Sequence, residues 1–534
     1  MGTTVVRALS RARRSVVALV ICLGALGLMA GCDIATKNQP LPNILVLLSD
    51  DQSWMHTGVT GNSGVSTPTF DRVAREGVLF TRAFSASPSC SPSRAAILTG
   101  QDIWRLGAAA NQSGPIDVQT EVYPDILEDH GYFVGYSGKG WYPGDHKASG
   151  RLRNPAGEAF TDEKHRARVE YFTAFLDSLP EGTPFCFWYG SREPHRPYGE
   201  LRFKPHVLEG IKPPPIWPDV REIRGDLRHY LLRIEYFDKQ AGNVLKILEE
   251  RGLLHNTLVV MTSDNGMPFP RGKANLYDLG TRVPLAILWK DRVRGGRVIS
   301  DLVSLTDLAP TFVDAAGTKI PREMTGHSLL NVLLSGEQRT ETPRRDVIVT
   351  ARERHSYARE GGVGYPARAI RTHDYLFIRN YEPSRWPAGD PPYFGDVDAR
   401  DYSYYSPTKE YMIINREDPN VEPLFDLCFG KRPHAELYRV REDSLQMTNM
   451  LEVNRDGTAG SSVDYESIAK ELADRLDEYL STAGDARATD VESIWDALPQ
   501  YADTTRSPRK DLPNPLEEML SGRIRRNADT KGPP

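Results

Sequence analysis

The feature that most constrains this chain is a series of short apolar segments that alternate with amphipathic ones. The first, Asn43–Ser49, is almost continuously apolar, as is typical of a strand buried on both faces of a parallel sheet. Further strands are predicted at 132–136, 185–189, 257–261 and 284–289. A long helix is predicted where apolar residues follow helical spacing from Leu227 to Leu248. The alternation predicts an α/β fold with a large, mostly parallel sheet flanked by helices.

The pattern changes near residue 340, and a chain of 534 residues is long enough for two or three domains. Short strands such as Tyr375–Arg379 then alternate with loops rich in Pro and aromatic residues, and an amphipathic helix runs from Ile468 to Leu480. We therefore predict a main domain over 43–338, a smaller C-terminal α+β domain over 339–485, and a polar tail over 486–534.

The first 32 residues have the features of an export signal. A basic start is followed by an apolar run, Val16–Ala30, which is short for a membrane span of about 20 residues. The run ends in Ala-Gly-Cys, which resembles a bacterial lipobox and implies lipidation of Cys32, with 33–42 as a tether. A non-lipidated signal peptide and an uncleaved anchor are the alternatives. We expect an exported bacterial protein, in the periplasm or at the cell surface, that meets the membrane only through its N-terminal lipid anchor.

Composition limits the partners of the chain. Its net charge of −5 gives no reason to expect a nucleic-acid partner. An anionic ligand would therefore need a local positive pocket. The sequence leaves a homodimer open.

Positions 90–94 read Cys-Ser-Pro-Ser-Arg and are followed by Leu-Thr-Gly at 98–100. Pro92 and Ser93 predict the first turn of a helix, so Cys90 would face unpaired backbone N–H groups, which favour anions. Arg94 adds a planar positive group. This pattern indicates a reactive side chain beside an anion site, and the alternative is an inert Cys at a capped helix start.

Two acidic pairs follow predicted strands. Asp50 and Asp51 come directly after the first strand, and Asp264 and Asn265 follow the strand at 257–261. The carboxyl ends of parallel strands build the sites of open α/β sheets, and four oxygen-bearing side chains suit Ca²⁺, with Mg²⁺ as the alternative. Each pair by itself is also typical of a helix cap or a turn.

Three further protonatable residues lie in similar loops after strands: Lys139, His195 and Lys273. Each alone is typical of a solvated loop. Together with a divalent metal and a special nucleophile, they suit a tetrahedral oxyanion such as sulfate or phosphate.

These motifs resemble the sulfatase family of the alkaline-phosphatase-like superfamily, from Asn43 to about Met450. Within it the chain is most similar to heparan N-sulfatases (sulfamidases, N-sulfoglucosamine sulfohydrolases). The strings that carry this likeness are Asp264–Lys273, Asn275–Tyr277, Tyr365–Arg368, Arg379–Asn380, Glu436–Tyr438 and Asn449. The resemblance makes 43–338 the catalytic domain.

The resemblance implies a modified nucleophile and a metal. Cys90 would be oxidised to formylglycine by a formylglycine-generating enzyme, and the hydrated aldehyde would attack sulfur. Asp50, Asp51, Asp264 and Asn265 would bind Ca²⁺, and the modified Cys90 would touch the metal.

The resemblance also implies roles for the cations. Arg94 and Lys139 would stabilise the aldehyde hydrate and the sulfate oxygens. His195 and Lys273 would hold the sulfate, and one of them would protonate the leaving group.

The chain departs from the family pattern at two positions. Lys273 stands where sulfamidases commonly have Arg and where O-sulfatases usually have Lys. The family's Lys-x-His, whose His helps to regenerate the aldehyde, is replaced by a string that ends in Trp141. His146 could substitute for that His, and Trp141 could instead line a sugar subsite.

The sequence therefore predicts a sulfatase that hydrolyses sulfate esters or sulfamates of sulfated glycans or of small sulfated substrates, as in glycosaminoglycan degradation. Arg354, His355 and Arg385 are candidates for substrate recognition, and solvated loop charges are the alternative reading of them. Three rival functions stay open: a phosphonate or phosphodiester hydrolase of the same superfamily, a non-catalytic lipoprotein that binds sulfated glycans, and a dormant enzyme whose Cys90 stays unmodified.

Overall fold

The computed structural model describes residues 40–198, 203–338, 345–396, 406–453, 463–489, 494–499 and 501. The predicted signal, the lipidation site Cys32 and nearly all of the tether lie outside these residues, as does most of the predicted tail. Within the described ranges, no helix combines the length and the apolar character that crossing a membrane requires.

The main sheet has nine strands. They are β1 Asn43–Ser49, β2 Val78–Phe84, β3 Phe133–Gly138, β4 Glu158–Ala159, β5 Phe185–Gly190, β6 Thr257–Ser263, β7 Arg282–Leu288, β8 Arg297–Ile299 and β9 Val303–Ser304. The order across the sheet is β4-β3-β5-β1-β6-β7-β2-β8, and β9 pairs with β2. Only β7 runs antiparallel to its described neighbours. The prediction of a large, mostly parallel sheet is confirmed.

Helices cover both faces of this sheet, as the sequence of β1 requires. Its residues Ile44, Val46 and Leu48 pack in one apolar cluster, whereas Leu45 and Leu47 pack in a second cluster on the opposite face. The α-helices of this part of the chain are Pro68–Glu76, Cys90–Thr99, Tyr123–Asp129, Val169–Asp177, Pro205–Leu208, Arg221–Glu250, Asp278–Thr281, Leu308–Ala315 and Leu330–Leu334.

The strand register brings several loops to one edge of the sheet. Ser49 pairs with Ser263, so Asp50 and Asp264 leave the sheet side by side. On the other flank of β1, Leu48 pairs with Gly190, and Gly190 pairs in turn with Gly138. The loops that begin at Asp50, Lys139, Ser191 and Asp264 therefore share one edge.

The second sheet is smaller and antiparallel. Its strands are β10 Ile348–Arg352, β11 Ala367–Arg371, β12 Tyr375–Asn380 and β13 Ala435–Arg439, in that order. The other described helices are Pro407–Ile414, Glu422–Phe429, Met450–Val453, Tyr465–Thr482, Ala486–Thr489 and Ile494–Ala497. This agrees with the predicted smaller α+β part.

The second sheet packs against the main body on both of its faces. One face shares an apolar cluster with Ala96 of the helix Cys90–Thr99 and with Leu476 of the helix Tyr465–Thr482. The other face packs against Leu276 and Tyr277 of the main body. Trp495, from the predicted polar tail, is buried in the first of these clusters. Because residues of all three predicted parts share one apolar cluster, the boundaries near residues 338 and 485 stay predictions.

Asp238 links the longest helix to the helix Pro68–Glu76. Its carboxylate accepts hydrogen bonds from the backbone N–H groups of Thr69 and Phe70, at 2.9 and 2.8 Å. We expect Asp238→Ala to lower the free energy of unfolding by about 1–2 kcal/mol, because two helix N–H groups lose their acceptor. Urea denaturation measures this loss, and Lys239→Ala at the exposed neighbouring position is the control. Equal stabilities of the two variants would contradict the capping role.

Candidate functional site

Four oxygen-bearing side chains meet at the shared edge of the sheet. The backbone N–H of Asp51 donates to Asp264 Oδ1 at 3.0 Å, and this bond helps to hold Asp51 in a left-handed conformation with φ 74°. Asn265 Nδ2 donates to Asp51 Oδ1 at 2.7 Å. Asn265 Oδ1 is buried and has no hydrogen-bond partner among the described residues, so one buried oxygen is left for a ligand.

Cys90 is the first residue of its helix and lies against this acidic group. Its Sγ is 3.5 Å from Asp50 Oδ1 and 3.7 Å from Asp51 Oδ1. Potential ligand atoms of Asp50, Cys90 and Asp264 lie within 4.8 Å of one another. The side chain of Cys90 is 1% exposed, and burial raises the pKa of its thiol to about 12.

Three cations pair with the three carboxylates. Arg94 Nε is 2.8 Å from Asp264 Oδ2, Lys139 Nζ is 2.6 Å from Asp50 Oδ2, and Lys273 Nζ is 2.6 Å from Asp51 Oδ1. The Lys273 nitrogen also lies 3.0 Å from Cys90 Sγ. Arg94 Nη2 is buried and makes no hydrogen bond to the described residues.

The ion pairs shift the pKa values of the buried partners. Burial by itself would raise the pKa of Asp50, but the positive charges around it, Lys139 first, hold that pKa well below its usual range. Burial would likewise lower the pKa of Lys273, but the neighbouring carboxylates, Asp51 first, raise it well above its usual value. Both groups are therefore ionised at neutral pH.

His195 lies at the outer side of the cluster. Its Nε2 is 3.9 Å from Asp51 Oδ2, and its side chain is 28% exposed. Its Nδ1 is 2.5 Å from the carbonyl oxygen of Arg196. Burial, followed by the charge of Lys273, lowers the pKa of His195 to about 4.

The charges of this cluster indicate the kind of ligand that it can hold. Each of the three carboxylates faces a cation before any metal is bound, and burial raises the pKa of Asp264 to about 7. A divalent cation on the carboxylates would leave a surplus of positive charge, which an anionic substrate would neutralise.

Comparison with known proteins agrees with this geometry. Residues 42–318 match the family model described as Sulfatase, and residues 272–389 match the model described as N-sulphoglucosamine sulphohydrolase, C-terminal. The chain belongs to the sulfatase family. It is therefore a hydrolase that acts on sulfate esters.

The sulfatase has relatives over most of its length. An ulvan-active sulfatase of Formosa agariphila is 25% identical over 489 residues, which cover 90% of this chain and 89% of the relative. N-sulphoglucosamine sulphohydrolase of Homo sapiens is 28% identical over 390 residues, covering 63% and 73%. BT4656, solved in complex with its substrate D-glucosamine-2-N,6-O-disulfate, has a TM-score of 0.59 at 19% identity over 85% of this chain and 100% of that one. BT4656 and this chain share the alkaline-phosphatase-like fold.

The other predicted site residues of the sulfatase lie in different places. Trp141 is 1% exposed and packs in an apolar cluster of the main body, which leaves almost no surface for a sugar. His146 is half-buried at the start of the 3₁₀ turn His146–Ser149. Arg354 donates to the carbonyl oxygen of Pro499 at 2.8 Å, and Arg385 Nη1 lies 2.8 Å from Asp496 Oδ2. Both arginines thus bind the C-terminal segment.

His355 reaches the residue before the helix Cys90–Thr99. Its Nδ1 is 2.7 Å from Ser89 Oγ, directly before Cys90. Ser89 and Ser91 also contact Gln112 Oε1, at 2.8 and 3.1 Å. Sequence reasoning did not find Gln112, because it lies in a loop without periodicity or a motif.

Arg94 is the cation whose loss we expect to be most costly for folding. Arg94→Met should lower the free energy of unfolding by about 3–5 kcal/mol, because Asp264 would stay buried without its partner. Urea denaturation measures the effect. Arg75→Met, at an exposed position of the helix Pro68–Glu76, should change stability by less than about 0.5 kcal/mol. Similar midpoints for both variants would contradict the importance of this pair.

Proposed function

We propose that this protein hydrolyses sulfate esters of sulfated glycans with a formylglycine formed from Cys90 and a bound Ca²⁺, for which Mg²⁺ is the alternative. The observation that carries the proposal is the position of Cys90. Its Sγ lies between Lys273 Nζ at 3.0 Å and the carboxylates of Asp50 and Asp51. The glycan substrate is supported by the ulvan-active relative and by the sulfated glucosamine that BT4656 binds.

The donor atoms of the cluster fit a hard cation. Asp50, Asp51, Asp264 and Asn265 offer only oxygen ligands, the set that Ca²⁺ prefers. The buried Asn265 Oδ1 without a hydrogen-bond partner is the clearest sign that a ligand completes this site. When bound, the metal would supply positive charge to the sulfate oxygens and to the nucleophile.

The cations of the chain would bind and orient the sulfate group. Formylglycine would supply a hydrated aldehyde, one hydroxyl of which is the nucleophile. Arg94 Nη2, which makes no hydrogen bond to the described residues, would donate to a sulfate oxygen. Lys139 and Lys273 would hold further oxygens, and their fixed ion pairs mean that little reorganisation accompanies the reaction.

His195 is suited to the leaving-group side because it is the most exposed member of the cluster. Its Nδ1 contact with the Arg196 carbonyl orients the ring so that Nε2 faces the cluster. A bound anion would favour the imidazolium form, from which Nε2 would donate a proton to the leaving oxygen.

Lys273 favours esters over sulfamates as substrates. A lysine presents a compact charge, whereas arginine presents a planar fork of donors. The match of residues 272–389 to the sulfamidase C-terminal model favours sulfamates, so both classes belong in the test.

A substrate panel tests the proposal. Protein from the native host should release sulfate from sulfated glycan fragments and aryl sulfates with a higher kcat/KM than from N-sulfoglucosamine, and should leave phosphodiesters and phosphonate monoesters intact. Cys90→Ala should lower turnover by roughly 10⁴-fold or more, and mass spectrometry of the unsubstituted protein should find an aldehyde in place of the Cys90 thiol.

Each other result of the panel points to a different function. Faster hydrolysis of N-sulfoglucosamine would identify a sulfamidase. Faster hydrolysis of phosphodiesters or phosphonate monoesters would identify a phosphonate or phosphodiester hydrolase. Glycan binding without sulfate release, together with an unmodified thiol, would overturn the catalytic proposal.

The metal has its own test. Asn265→Ala should weaken Ca²⁺ binding by roughly 10–100-fold, because a buried oxygen ligand is lost. Calorimetric titration of the chelator-treated protein measures this affinity, and added Ca²⁺ should restore the turnover that the chelator removes. Asn331→Ala, at an exposed helical position, is the control. Equal Ca²⁺ affinities for both variants would argue against Asn265 as a ligand.

A further inference from the structure

An aromatic ring borders the catalytic cluster on the side of Lys139. The centroid of the Tyr142 ring is 6.0 Å from Lys139 Nζ, and that nitrogen is 2.6 Å from Asp50 Oδ2. Tyr142 is half-buried, so part of its ring is exposed to solvent. The proposed hydrolytic mechanism gives this ring no role.

A second ring packs against Tyr142. The centroid of the His165 imidazole is 5.4 Å from that of the tyrosine ring, and the planes are tilted by 35°. His165 has a left-handed backbone with φ 49°, which is uncommon for a residue other than glycine. Asp162 stabilises this turn by accepting hydrogen bonds from the backbone N–H groups of Lys164 and Arg166, at 3.1 and 3.0 Å.

A guanidinium group connects this turn to the loop after β5, which carries His195. Arg192 Nη1 donates to the carbonyl oxygen of Lys164 at 3.0 Å, and Arg192 is three positions before His195. Arg192 is exposed. Burial, and next the charge of Arg192, lower the pKa of His165, which agrees with the closeness of the two groups.

We propose that Tyr142, His165 and Arg192 form a second recognition site, here called the rim site, that binds an anionic group on the sugar next to the sulfate being hydrolysed. The aromatic pair offers a face for the C–H groups of a sugar ring. The planar guanidinium group of Arg192 suits a carboxylate or a second sulfate, to which it can donate two hydrogen bonds. The inference rests on the proposed function, because it assumes that the sulfate itself lies at Cys90.

Kinetics with three substrates test the rim site. The substrates are a sulfated disaccharide with a uronic acid carboxylate, one with a second sulfate, and an aryl sulfate with neither group. Arg192→Ala should raise KM for the anionic disaccharides by roughly tenfold, the loss expected for a charge-assisted contact, with much smaller changes in kcat. Comparison of the two disaccharides identifies which anion is bound. His165→Ala should raise the same KM values, and Arg192→Lys should restore part of the loss.

Two exposed residues that are not part of the rim site serve as controls. Tyr236→Ala, on the helix Arg221–Glu250, and Arg251→Ala, directly after it, remove an aromatic ring and a guanidinium group. Both should leave KM unchanged for all three substrates. A rise in KM for Arg192→Ala that is equal for the aryl sulfate and the disaccharides would overturn the rim site, and so would no rise at all.

The rim site and the proposed function fail in different ways. Turnover of aryl sulfate by the wild type, with no effect of Arg192→Ala on disaccharides, would overturn the rim site alone. If the wild type releases no sulfate from any substrate, the rim site can still be tested by measuring the binding of the disaccharides calorimetrically. A roughly tenfold weaker Kd for Arg192→Ala would support the rim site without catalysis, and equal Kd values would overturn it.

Discussion

The buried ion pair between Arg94 and Asp264 is the interaction on which the site depends. It ties the helix that begins at Cys90 to the loop after β6, and Arg94 Nη1 also donates to the carbonyl oxygen of Lys139 at 2.5 Å. One guanidinium thus joins three chain segments. Because both charges are desolvated, the pair is stable only while the donors and acceptors around it stay in place. The position of Cys90 therefore follows from the packing of the sheet.

Sequence reasoning predicted the part of the site that depends on strand ends. The acidic pairs follow apolar strands, and parallel strands bring their carboxyl ends together. It missed β2, because Thr81 and Arg82 are half-exposed and break the apolar run that marks a buried strand. It also could not foresee that Arg354 and Arg385 would bind residues 496–499, because no local pattern records contacts between segments more than a hundred positions apart.

The strings that carry the likeness to heparan N-sulfatases have a structural role here. Glu436 accepts hydrogen bonds from the hydroxyl groups of Tyr277 and Tyr438, at 2.7 and 2.5 Å, and from Asn380 Nδ2 at 2.7 Å. All four side chains are buried, and they connect the second sheet to the segment that follows Lys273. These residues therefore support the shape of the loop that carries Lys273, and their presence is compatible with either an ester or a sulfamate as the substrate.

The burial of Cys90 bears on when the proposed formylglycine would form. The proposed conversion of Cys90 to formylglycine requires a modifying enzyme to reach a side chain that is only 1% exposed in the folded chain. Lys273, one of the groups that enclose the thiol, lies 183 positions later in the chain. At roughly 5–20 residues per second, its synthesis follows that of Cys90 by about 10–40 s. The proposed modification would therefore compete in time with folding, and a chain that folds first would keep its thiol.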